Sequence, residues 1–222
     1  VDGEKSLKAG IRIPETAQIQ IKGPDIPYVS RGGLKLAAAL REFDISVTGC
    51  RCLDVGASTG GFTDCLLQRG AAHVIALDVG YGQLHWRLRS DPRVRVMERT
   101  NIRYVQPGAI PEQMDIICVD VSFISLHKVV PNLLQFMKPS TTMICLVKPQ
   151  FEVQKRLVGK QGVVRDPALH QRVLEELAQA FYTMNLEKIG VIPSPILGPK
   201  GNQEYLMILR INPKSEYRNP NK

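Results

Sequence analysis

Four charged side chains stand where packing does not call for them. Lys35 lies one step into an otherwise apolar helical stretch, Ser30-Arg-Gly-Gly-Leu-Lys-Leu36. Asp120 ends one apolar run, Lys148 ends another directly before Pro149, and Glu204 opens a third in Gly201-Asn-Gln-Glu-Tyr205. Singly, each reads as a surface charge. Together, two cations and two anions can neutralise one another in a cleft, the setting in which groups are tuned for proton transfer.

A second constellation is suited to holding a ligand. Asp54-Val-Gly-Ala-Ser-Thr-Gly-Gly-Phe62 follows a buried-strand run and opens a helix. Gly56, Gly60 and Gly61 give a G-x-x-x-G-G spacing, not the G-x-G-x-x-G of dinucleotide folds. Glycine there permits a sharp turn and close approach of a ligand to the main chain. Asp78 ends the next strand, where a carboxylate can accept hydrogen bonds from both hydroxyls of a ribose. Two carboxylates suit a pyrophosphate poorly and tolerate a cationic sulfonium with an amino-acid tail, which favours S-adenosylmethionine over NAD. The expected cofactor contacts are Asp54, Gly56, Ala57, Ser58, Thr59, Gly60, Gly61 and Phe62 on the turn, Asp78, and Asp120. Thr100 and Asn101 join them by position alone, in Glu98-Arg-Thr-Asn101 at the adenine end. The plain alternative is a tight strand–helix turn.

The elements that must position these groups alternate along the chain. Strands are predicted at Arg51–Val55, His73–Leu77, Val94–Met97, Met114–Val119, Thr142–Val147, Ile189–Ile196 and Tyr205–Ile211. Helical patterns fall at 34–43, 59–68, 83–89, 125–137 and 167–185, with Pro131 as a kink or late start and Pro167 in a first turn. Such alternation predicts an α/β fold, a mostly parallel seven-stranded sheet with helices on both faces, whose ligands gather at the carboxyl ends of the strands. Residues 149–165 read as a mobile basic loop.

The chain of 222 residues is long enough to bury a core without staples, and 44% apolar with 23% charged residues excludes wholesale disorder. A net charge of +8 favours a polyanionic partner. Acids and bases balance in residues 1–27, so the surplus belongs to the rest. Seven arginines lie between 69 and 103 beside Tyr81, His85 and Trp86, a mixture fit for phosphate contact and base stacking. Their rival reading is a solvated helix–strand surface. Five cysteines without finger spacing read as reduced core thiols, with no metal site expected. No apolar stretch is long enough to span a bilayer, so the expected compartment is the cytoplasm, with no membrane partner.

Five segments in order carry a resemblance: Ser-Arg-Gly-Gly-Leu-Lys-Leu from Ser30, Asp-Val-Gly-Ala-Ser-Thr-Gly-Gly-Phe-Thr-Asp from Asp54, Asp-Val-Ser-Phe-Ile-Ser from Asp120, Leu-Val-Lys-Pro-Gln-Phe-Glu from Leu146 and Gly-Asn-Gln-Glu-Tyr from Gly201. Between Tyr28 and Ile211 the chain resembles the TlyA family, often labelled hemolysins, within the FtsJ-like RNA ribose methyltransferases. The resemblance implies a Rossmann-like class I methyltransferase fold and a Lys-Asp-Lys-Glu tetrad at Lys35, Asp120, Lys148 and Glu204. It implies S-adenosylmethionine as donor, S-adenosylhomocysteine as product, and the 2′-hydroxyl of cytidine in the ribosomal RNA of ribosomal subunits as acceptor. It also implies that 1–27 is the remnant of an S4-type RNA-binding domain and that 28–212 is the catalytic domain; residues 213–222 read as a polar tail by composition.

The chemistry then fits the residues. A ribose hydroxyl is a poor nucleophile until a base takes its proton, and a lysine serves where burial or a neighbouring cation favours its neutral form. Lys148 is expected nearest the hydroxyl, with Lys35, Asp120 and Glu204 tuning it. No metal is required, since the leaving group departs as a neutral thioether. Expected RNA contacts are Arg31, Arg87, Arg89, Lys155, Arg156 and Lys160. Three rival readings fit less well. A membrane-active cytolysin needs an amphipathic membrane segment, and the acid-rich 167–185 helix suits a domain surface better. A non-catalytic RNA-binding module would not need the full tetrad. A small-molecule methyltransferase would not need the positive charge.

Overall fold

Aliphatic runs too short for helices and apolar on both faces become the strands of one sheet. A computed structural model describes residues 12–18, 26–159 and 161–213. Strands β1 (Arg51–Val55), β2 (His73–Leu77), β3 (Val94–Met97), β4 (Met114–Val119), β5 (Met137–Val147), β6 (Leu186–Pro193) and β7 (Tyr205–Ile211) lie in the order β3-β2-β1-β4-β5-β7-β6. β7 runs antiparallel to β5 and β6, and every other pair is parallel.

Alternation along the strands builds two cores. Leu53, Val55, Ile75, Leu77, Ile117, Val119 and Met143 meet Val130 and Leu133 of α4 (Val130–Leu133) and Val173, Leu177 and Phe181 of α6 (Pro167–Thr183). Cys52, Val74, Ala76, Ile116, Cys118 and Ile144 meet Leu36 and Leu40 of α1 (Gly32–Glu42) and Phe62 and Leu66 of α2 (Gly61–Gln68). Asp166 caps α6 by accepting the Ala168 amide at 2.9 Å, ahead of Pro167 in the first turn. The order places a switch point between β1 and β4, where successive connections leave in opposite directions and open a crevice at the carboxyl ends.

Five expectations are corrected, the first being that β6 spans Leu186–Pro193 rather than Ile189–Ile196. The helix expected over 125–137 is three short pieces: 3-10 turns at Leu126–Lys128 and Leu134–Phe136 around the single turn of α4. Pro131 has no amide to donate and sits in that turn's start. β5 begins at Met137, not Thr142, because Met137 already pairs with Met114 and the ladder then shifts, leaving Pro139 at the irregularity where its missing N–H costs nothing. Thr141 closes that irregularity, accepting the Lys138 amide at 2.8 Å and donating to the Met114 carbonyl at 2.6 Å. Residues 149–165 are not a plain loop: they hold α5 (Pro149–Glu152) and a 3-10 turn at Lys155–Leu157. The segment expected over 83–89 is helical only at α3 (Trp86–Arg89).

Most of the expected S4-type remnant in 1–27, including the strand pattern at Ile19–Lys22, lies outside the described residues, as do Lys160 and the tail beyond 213. Residues 12–18 hold a turn in which the Ala17 amide donates to the Pro14 carbonyl at 3.0 Å.

Candidate active site

Register carries the charged groups to one place. Val147 of β5 lies opposite Tyr205 of β7, so Lys148 and Glu204 follow as neighbours beyond the last pair. Val55 of β1 lies opposite Val119 of β4, so Gly56 and Asp120 are the next two residues. They touch: a Cβ on Gly56, at φ +86°, would stand 2.4 Å from the Asp120 carbonyl oxygen. Only glycine allows this turn to lie against the β4 loop. Gly60, at φ +100°, is closed from outside by Leu84 and Leu88, so α3 packs directly on the turn.

Lys35 arrives from another layer. Asp64 of α2 accepts the Val29 amide at 2.8 Å and so fixes the entry to α1. Gly33 faces the Tyr28 ring too closely for any side chain. From α1 the Lys35 ammonium reaches Glu204 Oε2 at 2.5 Å, and both residues are buried. Lys148 donates to Asp120 Oδ1 at 2.6 Å and to Ser122 Oγ at 2.9 Å. The four expected residues thus form two ion pairs, each ammonium held by its own carboxylate. Glu204 is wholly buried and its Oε1 has no partner among the described residues. An acceptor of that kind demands a donor, and Glu204 lines a cavity from which one can come.

Two cavities meet there. One, of about 360 Å³, is walled by Ser30, Arg31, Lys35, Ala57, Thr59, Phe62, Lys148, Ile196, Pro199 and Glu204. The other, of about 560 Å³, is walled by Leu77, Asp78, Gln83, Thr100, Asn101, Ile102, Arg103, Val121, Phe123, Ile124 and Val129. Gly56, Ser58, Asp120 and Ser122 belong to both. Asp78 is oriented before any ligand arrives, accepting the Ser58 amide at 2.8 Å and the Gly80 amide at 2.7 Å. Each of its oxygens keeps a second lone pair for a ligand hydroxyl. Ile102, Ile124 and Val129 give the same chamber apolar walls that suit a flat ring.

Two expected contacts stand behind the walls. Gly60 lines neither cavity, and Asp54 lies wholly buried beneath the turn, accepting the Thr63 hydroxyl at 2.7 Å, its other oxygen without a hydrogen-bond partner among the described residues. Burial pushes its carboxyl up to about 7, opposed by the Thr63 hydroxyl and reinforced by Asp120 and Asp78. The folded chain therefore holds the proton more tightly than the unfolded chain does. The resulting stability is full below the ordinary carboxylate range and is lost as pH rises through about 7. The loss amounts to roughly a few kcal/mol, and Asp54→Asn should escape it. Melting temperatures at pH 5 and pH 8 test this: the variant's advantage over the wild type should be larger at pH 8, and an equal difference at both would exclude a titrating Asp54.

The basic residues divide. Arg31 lines the smaller cavity. Arg87 and Arg89 flank Leu88 on α3, beside the glycine turn, and Arg89 is ion-paired with Glu98. Lys155 and Arg156 are exposed on the turn after α5 and line neither cavity. Several arginines of the 69–103 cluster serve the fold itself: Arg93 pairs with Asp91 at 2.8 Å and Arg95 donates to the Ala109 carbonyl at 3.0 Å. Arg99 stacks over Tyr81 and Arg103 over Tyr104. Tyr81, Trp86, Tyr104 and Phe123 are exposed, Phe123 at 90%. All five cysteines are free, and among the described residues no cluster of His, Cys, Asp and Glu could hold a metal ion.

Sequence reasoning passed over Ser122, Phe123 and Asn202. Ser122 sat inside a quoted motif, two residues from Asp120, and only the fold shows it reaching Lys148. Asn202 accepts the Val164 amide at 3.1 Å and donates to Gly162 and Pro199 carbonyls, tying the 159–166 segment to the Glu204 loop.

The profile of the FtsJ-like methyltransferases matches residues 28–211. The chain is 48% identical over 211 residues to the 16S/23S rRNA (cytidine-2′-O)-methyltransferase TlyA of Mycobacterium tuberculosis, covering 95% of this chain and 79% of that one. It is 41% identical to hemolysin A of Brachyspira hyodysenteriae, covering 93% and 86%. The solved structure of a hemolysin-named protein from Streptococcus thermophilus superposes with a TM-score of 0.84 at 42% identity, over 90% of this chain and 72% of that one. Among the described residues no helix is long and apolar enough to cross a membrane.

Proposed function

We propose, from the premise that the chain belongs to the FtsJ-like methyltransferases, that it moves a methyl group from S-adenosylmethionine to the ribose 2′-hydroxyl of a cytidine in ribosomal RNA. The observation that carries this reading is the junction of the two cavities at Gly56, Asp120 and Ser122, with Lys148 on the acceptor side of it. The relative with 48% identity is named for that reaction.

The larger cavity suits the donor. Asp78 would hold its ribose hydroxyls, Thr100, Asn101 and Ile102 its adenine, and Gly56 and Ser58 the amino-acid end. When bound, the donor supplies an electrophilic sulfonium methyl and leaves as the neutral thioether S-adenosylhomocysteine, so the chemistry calls for no metal. In the smaller cavity Lys148 is the base that takes the proton from the ribose oxygen as that oxygen attacks. The ammonium so formed is held by Asp120 at 2.6 Å and Ser122 at 2.9 Å, acceptors in place before the reaction. The Lys35–Glu204 pair forms the opposite wall, and the open Glu204 oxygen would receive a hydroxyl of the acceptor ribose. Arg31, Arg87, Arg89, Lys155, Arg156 and Lys160 supply phosphate contacts, acting through charge. An S4-type domain formed in part by residues 1–27 would add to that contact, with 28–212 as the catalytic domain.

The test is transfer of tritiated methyl from S-adenosylmethionine to purified small and large ribosomal subunits, followed by mapping of the label. Label on a cytidine ribose is expected. Label confined to bases, or none in either subunit, would overturn the reading.

A further inference from the structure

Lys148 is tied to the β4 loop at its ammonium, and the same two segments are tied a second time one helical turn later. α5 starts directly after Lys148, closing with the Phe151 amide on the Lys148 carbonyl at 2.9 Å. At its end, Glu152 turns back to the β4 loop. Its Oε2 accepts the Ser125 hydroxyl at 2.5 Å and its Oε1 accepts the Leu126 amide at 2.9 Å. The loop from Asp120 to Leu126 is therefore held at both ends by one short segment, through Asp120 and Ser122 on Lys148 and through Ser125 and Leu126 on Glu152. Between the clasps Phe123 takes a positive φ of 64° and lays its ring against Phe151, with centroids 5.0 Å apart. A non-glycine residue held there is strained, and strain persists only where surrounding bonds impose it. Burial raises the Glu152 carboxyl above its ordinary value, against the two hydrogen bonds and the nearby His127. The protein accepts that desolvation to keep the clasp.

We propose that Glu152 is a positioning residue: by holding the Ser125 hydroxyl and the Leu126 amide it fixes the β4 loop against α5 and keeps Asp120 and Ser122 on the Lys148 ammonium. This rests on the transfer reaction proposed above. Glu152 lines neither cavity and touches no reacting atom; it acts through the geometry of Lys148.

Single-turnover and steady-state methyl transfer by the full chain, compared among Glu152→Ala, Glu152→Gln and Ser125→Ala, test it. Glu152→Ala should lower kcat by roughly 10–100-fold, the cost of a misplaced catalytic group, while KM for the subunit changes little. Glu152→Gln should restore the rate, because an amide still accepts from Leu126 and can donate to the Ser125 oxygen. Ser125→Ala, which removes only one bond, should fall between them. A wild-type kcat in Glu152→Ala overturns the proposal, as does a Glu152→Gln variant as slow as the alanine. If Glu152→Ala does not fold, a Ser125→Ala rate equal to wild type overturns it. Amide hydrogen exchange provides a readout independent of activity. Residues 120–128 should exchange faster in Ser125→Ala and Glu152→Ala, and unchanged exchange there counts against the clasp. A wild-type protein that transfers no methyl group defeats the functional reading alone, and exchange then still judges the clasp.

Discussion

Lys148→Ala is expected to lower methyl transfer by roughly 10²–10⁴-fold, the range a positioned general base contributes, while donor affinity stays within a small factor of wild type. The separation follows from the walls. Lys148 lines the smaller cavity and is absent from the larger one, so its loss leaves the donor's chamber in place. Lys148→Arg is the sharper variant. A guanidinium can keep the charge beside Asp120, yet it cannot give up a proton at any accessible pH. If the amine is needed as a base, arginine should be nearly as inactive as alanine. If Lys148 only supplies charge, arginine should restore much of the rate. Single-turnover transfer with saturating donor, alongside calorimetric titration of S-adenosylmethionine, reads both quantities. Near wild-type turnover in Lys148→Ala would remove the lysine from the chemistry altogether.

Asp78→Ala should act on the other quantity. Its carboxylate is aimed by the Ser58 and Gly80 amides into the larger cavity. Hydrogen bonds from neutral hydroxyls to a charged acceptor contribute about 1.5–3 kcal/mol each, so losing two should weaken donor binding by at least roughly 10²-fold. Part of that loss would come from the glycine turn, because the Ser58 amide also loses its acceptor. Asp78→Asn separates the two effects: one amide oxygen can still accept from a backbone N–H, while the charge and one acceptor are gone. A graded fall from wild type to asparagine to alanine in calorimetry is the expected order. Unchanged donor affinity in Asp78→Ala would mean that the larger cavity is not where the donor's ribose sits.

How much of this could be read from residues alone depends on the range of the interactions involved. A sheet buried on both faces is written as unbroken aliphatic runs, so β1, β2 and β4 were legible to the residue. The start of β5 was not, because Pro139 argues against a strand unless a register shift places it where no ladder bond is needed. The 125–137 segment has helical spacing, yet its bonds are divided among three short turns, an outcome decided by packing on β4 and β5. Strand ends located Asp120, Lys148 and Glu204. Their pairing was hidden, since Lys35 meets Glu204 only because β7 inserts antiparallel between β5 and β6. Mutual neutralisation of the four charges was legible, and the fold adds which carboxylate serves which lysine: Glu204 for Lys35 and Asp120 for Lys148. Asp54 shows the opposite limit: its place before the glycine turn implied a charge facing the ligand, and the pleat turns it inward onto Thr63.

The shared wall of Gly56, Ser58, Asp120 and Ser122 also bears on inhibitor design. A compound that tethers an adenosyl group to a ribose through a short neutral linker would occupy both chambers at once. Its second half would bind at an effective concentration set by the tether, so modest fragments could combine into an affinity roughly 10²–10⁴-fold beyond either alone. Because the chambers share only these four residues, the linker should be short and rigid, and specificity would come from how its ribose end meets the Lys35–Glu204 pair.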